Sequence, residues 1–188
     1  MWKTIASCHL DRSGTHSTAV YARRSARRYV AYMLETPLFE QVADAVRSLT
    51  PAAGEPLHLR WHRRGVKAWF GDEKPTRAHY EAQIITRRHV DGLDGMAIEI
   101  GFHAEYKDPA RNDQVLQQLL RHERSWRRLL GHEAEAGVFL GAENWRRISD
   151  VWLAPDLEDP ELAFEVAARL VDYLHAIAPL LSPGELMN

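Results

Sequence analysis

Two His-x-Glu pairs, His79-Tyr80-Glu81 and His103-Ala104-Glu105, stand in neighbouring stretches that alternate polar and apolar residues, AHYEAQIIT and AIEIGFHAEY. Alternation of period two puts each His on the same strand face as its Glu. A carboxylate beside an imidazole fixes the ring tautomer and raises its basicity, so either pair could act as a general base. Brought together, two imidazoles and two carboxylates form a donor set for a divalent metal. The candidate catalytic residues are therefore His79, Glu81, His103 and Glu105, with Lys107 two positions further on. The same residues also fit a solvent-facing sheet surface, where opposite charges paired across a hairpin contribute roughly 0.2–1 kcal/mol each.

The loop VDGLDG between the two stretches makes them a hairpin. Centred on Gly92, it sets Ala82, Ile84 and Thr86 opposite Phe102, Ile100 and Ile98, an apolar face. The other face then has Glu81 opposite His103, His79 opposite Glu105, Gln83 opposite Gly101 and Ile85 opposite Glu99. A slip of one residue would mix the faces, which differential burial disfavours. Glu105-Tyr106-Lys107 has in addition the Glu-x-Lys form found on the second active-site strand of restriction-type nucleases. In that chemistry the Glu and a carboxylate one strand earlier hold Mg²⁺ while the Lys steadies the attacking water. The earlier carboxylate would be Glu81, Asp91 or Asp94, and none of these sits in a Pro-Asp context. No phosphate-binding glycine loop, dinucleotide fingerprint or Gly-x-Ser-x-Gly elbow is present.

The elements that must position these residues follow from caps and periodicity. Residues 18–34 fit either a helix capped by Ser17 or Thr18 or a hairpin turning at RRSARR. Thr36 as cap and Pro37 as first helical residue predict a helix that buries Phe39, Val42, Val46 and Leu49 and ends at Pro51. LHLRWH and VKAWF, joined at Gly65, predict a hairpin. Asp108-Pro109 opens one long helix that stops at Gly131, and Asp159-Pro160 opens a second that closes at Pro179, with GVFLG and WRRISDVWL as strands between them. Helix, hairpin, hairpin, helix, two strands, helix predicts an α+β fold: an antiparallel sheet of five to six strands with helices packed on one face, in a single globular domain over 1–188.

The 188 residues, 45% apolar, are enough for a core that folds alone. A lone cysteine, Cys8, excludes an internal disulfide and a thiolate-rich zinc site. The absence of a secretory pattern at the N-terminus and of a long apolar run predicts a cytoplasmic protein with no membrane association. Behind a formal charge of −2, basic residues outnumber acidic ones up to residue 90 and the reverse holds beyond it. Arg60, Trp61, Arg63, Arg64 and Lys67 interleave cations with aromatics, the mixture that contacts nucleic acid through phosphates and stacked bases; Trp69 extends it. The near-balanced charge equally fits two halves that neutralise each other.

From MAIEIGF onward, Glu99, Gly131, Trp145, Arg147, Ile148 and the closing helix form a pattern that resembles an uncharacterised bacterial domain of unknown function, over residues 96–180. The resemblance implies association with DNA-handling genes and transfers no catalytic residue, and the Arg- and Ala-rich composition suggests a high-GC bacterial source. Three functions stay open on the residues: a non-enzymatic binding or accessory protein with a nucleic-acid or protein partner, a metal-assisted hydrolase, and a small-molecule binder. Cofactor and oligomeric state stay open with them.

Overall fold

A computed structural model describes residues 37–50, 55–89 and 93–181. The stretch expected at 18–34, Cys8 and Asp91 lie outside them. The chain divides into two units, Met1–Thr36 and Pro37–Asn188, and the fold is that of the second.

Helix α1 (Leu38–Leu49) begins one residue after the expected position, because Pro37 serves as the cap and accepts from the amides of Glu40 and Gln41. Its apolar stripe, Phe39, Val42, Ala43 and Val46, is buried. Two hairpins follow, β1 (Leu57–His62) with β2 (Gly65–Phe70) and β3 (Ala78–Thr86) with β4 (Met96–Ala104). Asp108 then caps helix α2 (Pro109–Arg121) by accepting from the amide of Ala110.

The single helix expected up to Gly131 is two helices. α2 breaks at His122 (φ −108°, ψ 19°), and α3 (Glu123–Leu130) continues to Gly131, whose φ of 80° ends it as expected. In an unbroken helix the Leu119 carbonyl would accept from the amide of Glu123. It accepts instead from the His122 amide and the Trp126 indole, both at 3.0 Å, and the indole is buried by the same turn. Strands β5 (Glu135–Phe139) and β6 (Ala142–Leu153) precede helix α4 (Leu162–Ile177) and a 3₁₀ turn, Ala178–Leu180. Helix α4 starts two residues beyond Pro160, after Asp159 accepts from the amide of Glu161.

The six strands of the described residues form one antiparallel sheet in the order β1-β2-β3-β4-β6-β5. The last hairpin is inverted, so long β6 lies against β4 and short β5 takes the edge. On one face Val66, Ala68, Tyr80, Ala82, Ile98, Ile100, Phe102 and Ile148 join residues of α1 to α4 in a single apolar cluster. The fold is thus α+β, with the helices on one side of the sheet. A polar tie crosses that layer: Asp150 of β6 accepts from Arg169 Nε at 2.5 Å and Tyr173 Oη at 2.7 Å, joining α4 to the sheet. No helix among the described residues is long and apolar enough to cross a membrane.

A candidate metal centre on the polar face of the sheet

The face opposite the helices carries most of the polar residues of the central strands, set apart from the apolar ones by the period of two. Adjacent residues across the ladders form rows. One runs Arg60, Lys67, Glu81, Gly101, Ser149, Glu135 through all six strands. The next contains His79, His103 and Arg147.

The β3–β4 register differs from expectation by two residues. His79 faces His103, Glu81 faces Gly101 and Gln83 faces Glu99. The pairing is centred on Asp91, not Gly92, because the turn opens immediately after Thr86, whose carbonyl accepts from His89, and closes at Gly95 with φ 90°. A two-residue slip preserves both faces, so Ile98, Ile100 and Phe102 are inside as expected. The two His-x-Glu pairs lie side by side instead of crossed.

Gly101 makes this arrangement possible. A Cβ there would stand 2.3 Å from both the Ile148 carbonyl oxygen and Ser149 Cβ. Its missing side chain lets β4 lie close against β6.

At its centre the polar face is not a solvent-facing surface. His79, Glu81, Glu99, His103, Arg147 and Ser149 are all buried, with Glu99 and His103 at 0% exposure. The ring of Phe139 meets His103 edge-on, with centroids 4.7 Å apart. Buried polar groups are costly unless each finds a partner, and here the partners set the protonation of both rings. Lys67 Nζ donates to His79 Nε2 at 3.0 Å. An ammonium can only donate, so His79 Nε2 is bare, and its Nδ1–H donates to the Thr76 carbonyl at 3.2 Å. Burial, with the charges of Lys67 and His103, outweighs the pull of Glu81 and Glu105 and keeps the His79 pKa below the usual histidine value.

His103 is the opposite case. Its Nε2–H donates to Glu99 Oε1 at 2.8 Å. Burial pushes its pKa down, but the charge and hydrogen bond of Glu99 and the pull of Glu81 overcome this and raise it to about 10. Glu99 accepts also from Gln83 at 3.2 Å. The inner nitrogen of His103, Nδ1, has no hydrogen-bond partner; it lies 3.5 Å from Glu81 Oε2 and 3.9 Å from Glu105 Oε1. Burial likewise pushes the Glu81 carboxyl up, and the two imidazoles and Lys67 hold it well below the ordinary carboxylate range.

One donor atom each from His79, Glu81, His103 and Glu105 lies within 4.8 Å of all the others. Ligands of a four-coordinate ion with bonds of about 2.0–2.2 Å stand roughly 3–4 Å apart, so small side-chain rotations would close the set. Both imidazoles have the supporting contact that metal-binding histidines carry: the outer nitrogen donates to an acceptor, Glu99 or the Thr76 carbonyl, and the inner nitrogen faces the carboxylates. Glu105, just past β4, is held by its amide on the Arg77 carbonyl. The buried Asn112 of α2 grips both backbone groups of Tyr106 beside it.

Other candidate residues fall elsewhere. Lys107 is exposed beyond the strand end, and Lys67 supplies the cation of the cluster. Asp94 lines a cleft with Thr86, Arg87, Arg88, Leu93 and Gly95 at the far end of the hairpin, so Glu81 is the carboxylate beside Glu105. The basic hairpin is divided. Arg60 lies on the polar face, its guanidinium 5.9 Å from the buried Trp69 ring, on which His58 stacks; Arg63 and Arg64 are exposed in the turn. Trp61, partly exposed, pairs with core residue Val66 and points with the helix-side row. Sequence reasoning missed Lys67 as a member of the cluster and Glu99 as the support of His103. Lys67 was findable from strand alternation alone, since it shares the Gly65 and Trp69 face. Compared with protein-family models, curated proteins and solved structures, the chain finds no match.

Proposed function

We propose that the chain is a divalent-metal-dependent hydrolase centred on His79, Glu81, His103 and Glu105. The observation that carries the reading is the convergence of two carboxylates with two imidazoles whose outer nitrogens are already engaged and whose inner nitrogens face them. Nitrogen and oxygen donors without thiolate suit Zn²⁺, Mn²⁺ or Fe²⁺. An ion held there would lower the pKa of a bound water and polarise an ester oxygen. Glu105 and Lys67, with side chains 12% and 30% exposed, are the members through which solvent and substrate reach the cluster. Arg60, across the ladder from Lys67 on the same face, supports an anionic substrate such as a phosphodiester.

The test is isothermal titration with Mn²⁺ and Zn²⁺, followed by hydrolysis of bis-p-nitrophenyl phosphate and short oligonucleotides by the loaded protein. Binding lost in Glu81→Gln together with metal-dependent turnover supports the reading. Failure to bind either ion at millimolar concentration sinks it.

A second reading, nucleic-acid binding without catalysis, is favoured by the exposed Arg60, Arg63, Arg64 and Trp61 of the first hairpin. It requires salt-sensitive oligonucleotide binding that weakens when the three arginines become alanine. Undetectable affinity at low salt would remove it.

A further inference from the structure

We infer that Lys67 is the centre's own replaceable cation: its ammonium takes the metal's place in the metal-free protein, and metal entry expels it, so that ion and lysine exclude one another. The inference rests on the metal-centre reading above. Lys67 Nζ lies 3.0 Å from His79 Nε2, 3.1 Å from Glu81 Oε2 and 3.5 Å from Glu105 Oε2. These are three of the four groups that converge as metal donors. The ammonium is thus held by one hydrogen bond, to the bare imidazole nitrogen, and by two ion pairs with the carboxylates.

The fourth group is the one that an ammonium cannot serve. His103 Nδ1, fully buried and facing the same carboxylates, has no hydrogen-bond partner. A divalent ion would take all four, the Nδ1 proton of His103 leaving to solvent as the ion enters. It would also need bonds of about 2.0–2.2 Å to atoms that Nζ holds at hydrogen-bond range, so the two cations cannot share the position. Lys67 has somewhere to go, since its side chain is 30% exposed. A long flexible stem with a strongly hydrated head suits such an exchange, where the rigid fork of arginine would not.

Two measurements test this. The first is titration of Mn²⁺ and Zn²⁺ into the wild-type chain and into Lys67→Met, which keeps the length of the stem without its charge. Loss of the competing cation is expected to tighten binding about fivefold, the upper end of what a solvent-accessible ion pair contributes. The second needs no variant: acetylation of Lys67 by acetic anhydride, followed by mass spectrometry with and without metal. Labelling of Lys67 is expected to rise severalfold on metal addition, while the exposed Lys74 and Lys107 stay constant and serve as internal standards.

Equal or weaker metal affinity in Lys67→Met overturns the exclusion and leaves the metal centre standing. So does tighter binding with unchanged labelling, because the charge would then act without leaving. If neither chain binds metal, both the exclusion and the hydrolase reading fall.

Discussion

Glu99 shows how one residue decides the chemistry of another. Its carboxylate accepts from His103 Nε2 at 2.8 Å and so directs Nδ1 at the cluster. Glu99→Gln keeps the volume and an acceptor oxygen but removes the charge. Outer-shell partners of this kind change metal affinity by about 10–100-fold. Glu99→Gln is therefore expected to stay folded, by circular dichroism, and to bind Mn²⁺ about tenfold more weakly; unchanged affinity would show that His103 needs no such support. Gly101 is decisive for a steric reason. In Gly101→Ala the new methyl would meet backbone and Cβ atoms of β6 at 2.3 Å, neither of which can turn away. Overpacking of this kind typically costs about 1–3 kcal/mol or more, and a wild-type urea midpoint would contradict the close β4–β6 contact. The sequence marked the two His-x-Glu pairs through residue type alone. It did not mark Glu99 as the support of His103, because a glutamate within an alternating strand reads like any solvent-facing residue.

At the scale of elements, alternation constrains a register only to its parity. Ile98, Ile100 and Phe102 were legible as core because any even shift keeps them inside. The two-residue error in pairing was invisible for the same reason, as only the turn geometry between Thr86 and Gly95 distinguishes the two registers. The break at His122 was illegible for a different reason: it depends on an indole several residues later taking the Leu119 carbonyl. The helix-to-sheet tie at Asp150 carries a prediction. Burial, and next the charge and hydrogen bond of Asp150, push the Tyr173 phenol well above its ordinary pKa. The folded chain then holds a proton that the unfolded chain releases above about pH 10, so this contribution is complete below pH 10 and declines as pH rises beyond it. Tyr173→Phe loses a hydrogen bond to a carboxylate, about 2 kcal/mol at pH 8. Its deficit against wild type is expected to shrink between pH 10 and 11 in urea denaturation. A deficit that is constant over that range would mean that the phenol titrates normally in the folded chain.

For the molecule as a whole, element order and caps were enough to read an α+β fold with helices on one face, since hairpins joined by short turns leave few other arrangements. The burial of the second face was not readable, because polar side chains that satisfy one another leave the same pattern as side chains that face water. That burial joins the centre to global stability. The four converging residues sit on β3 and at the end of β4, the two central strands of the sheet. Opening central strands amounts to global unfolding, so an ion that bridges them would stabilise the entire fold. At a free ion concentration about 100 times Kd the gain is about 2.7 kcal/mol. For a chain of this length that corresponds to a rise in Tm of roughly 5–10 °C. The imidazoles must be bare to bind, so the rise is expected to shrink as pH falls. Glu105→Gln, which alters the most exposed of the four groups, is expected to leave the metal-free Tm nearly unchanged and to remove most of the shift. Differential scanning fluorimetry with Mn²⁺ and Zn²⁺ at pH 8 and pH 6 reads all of this in one experiment. A shift equal in wild type and Glu105→Gln would place the bound ion elsewhere on the molecule.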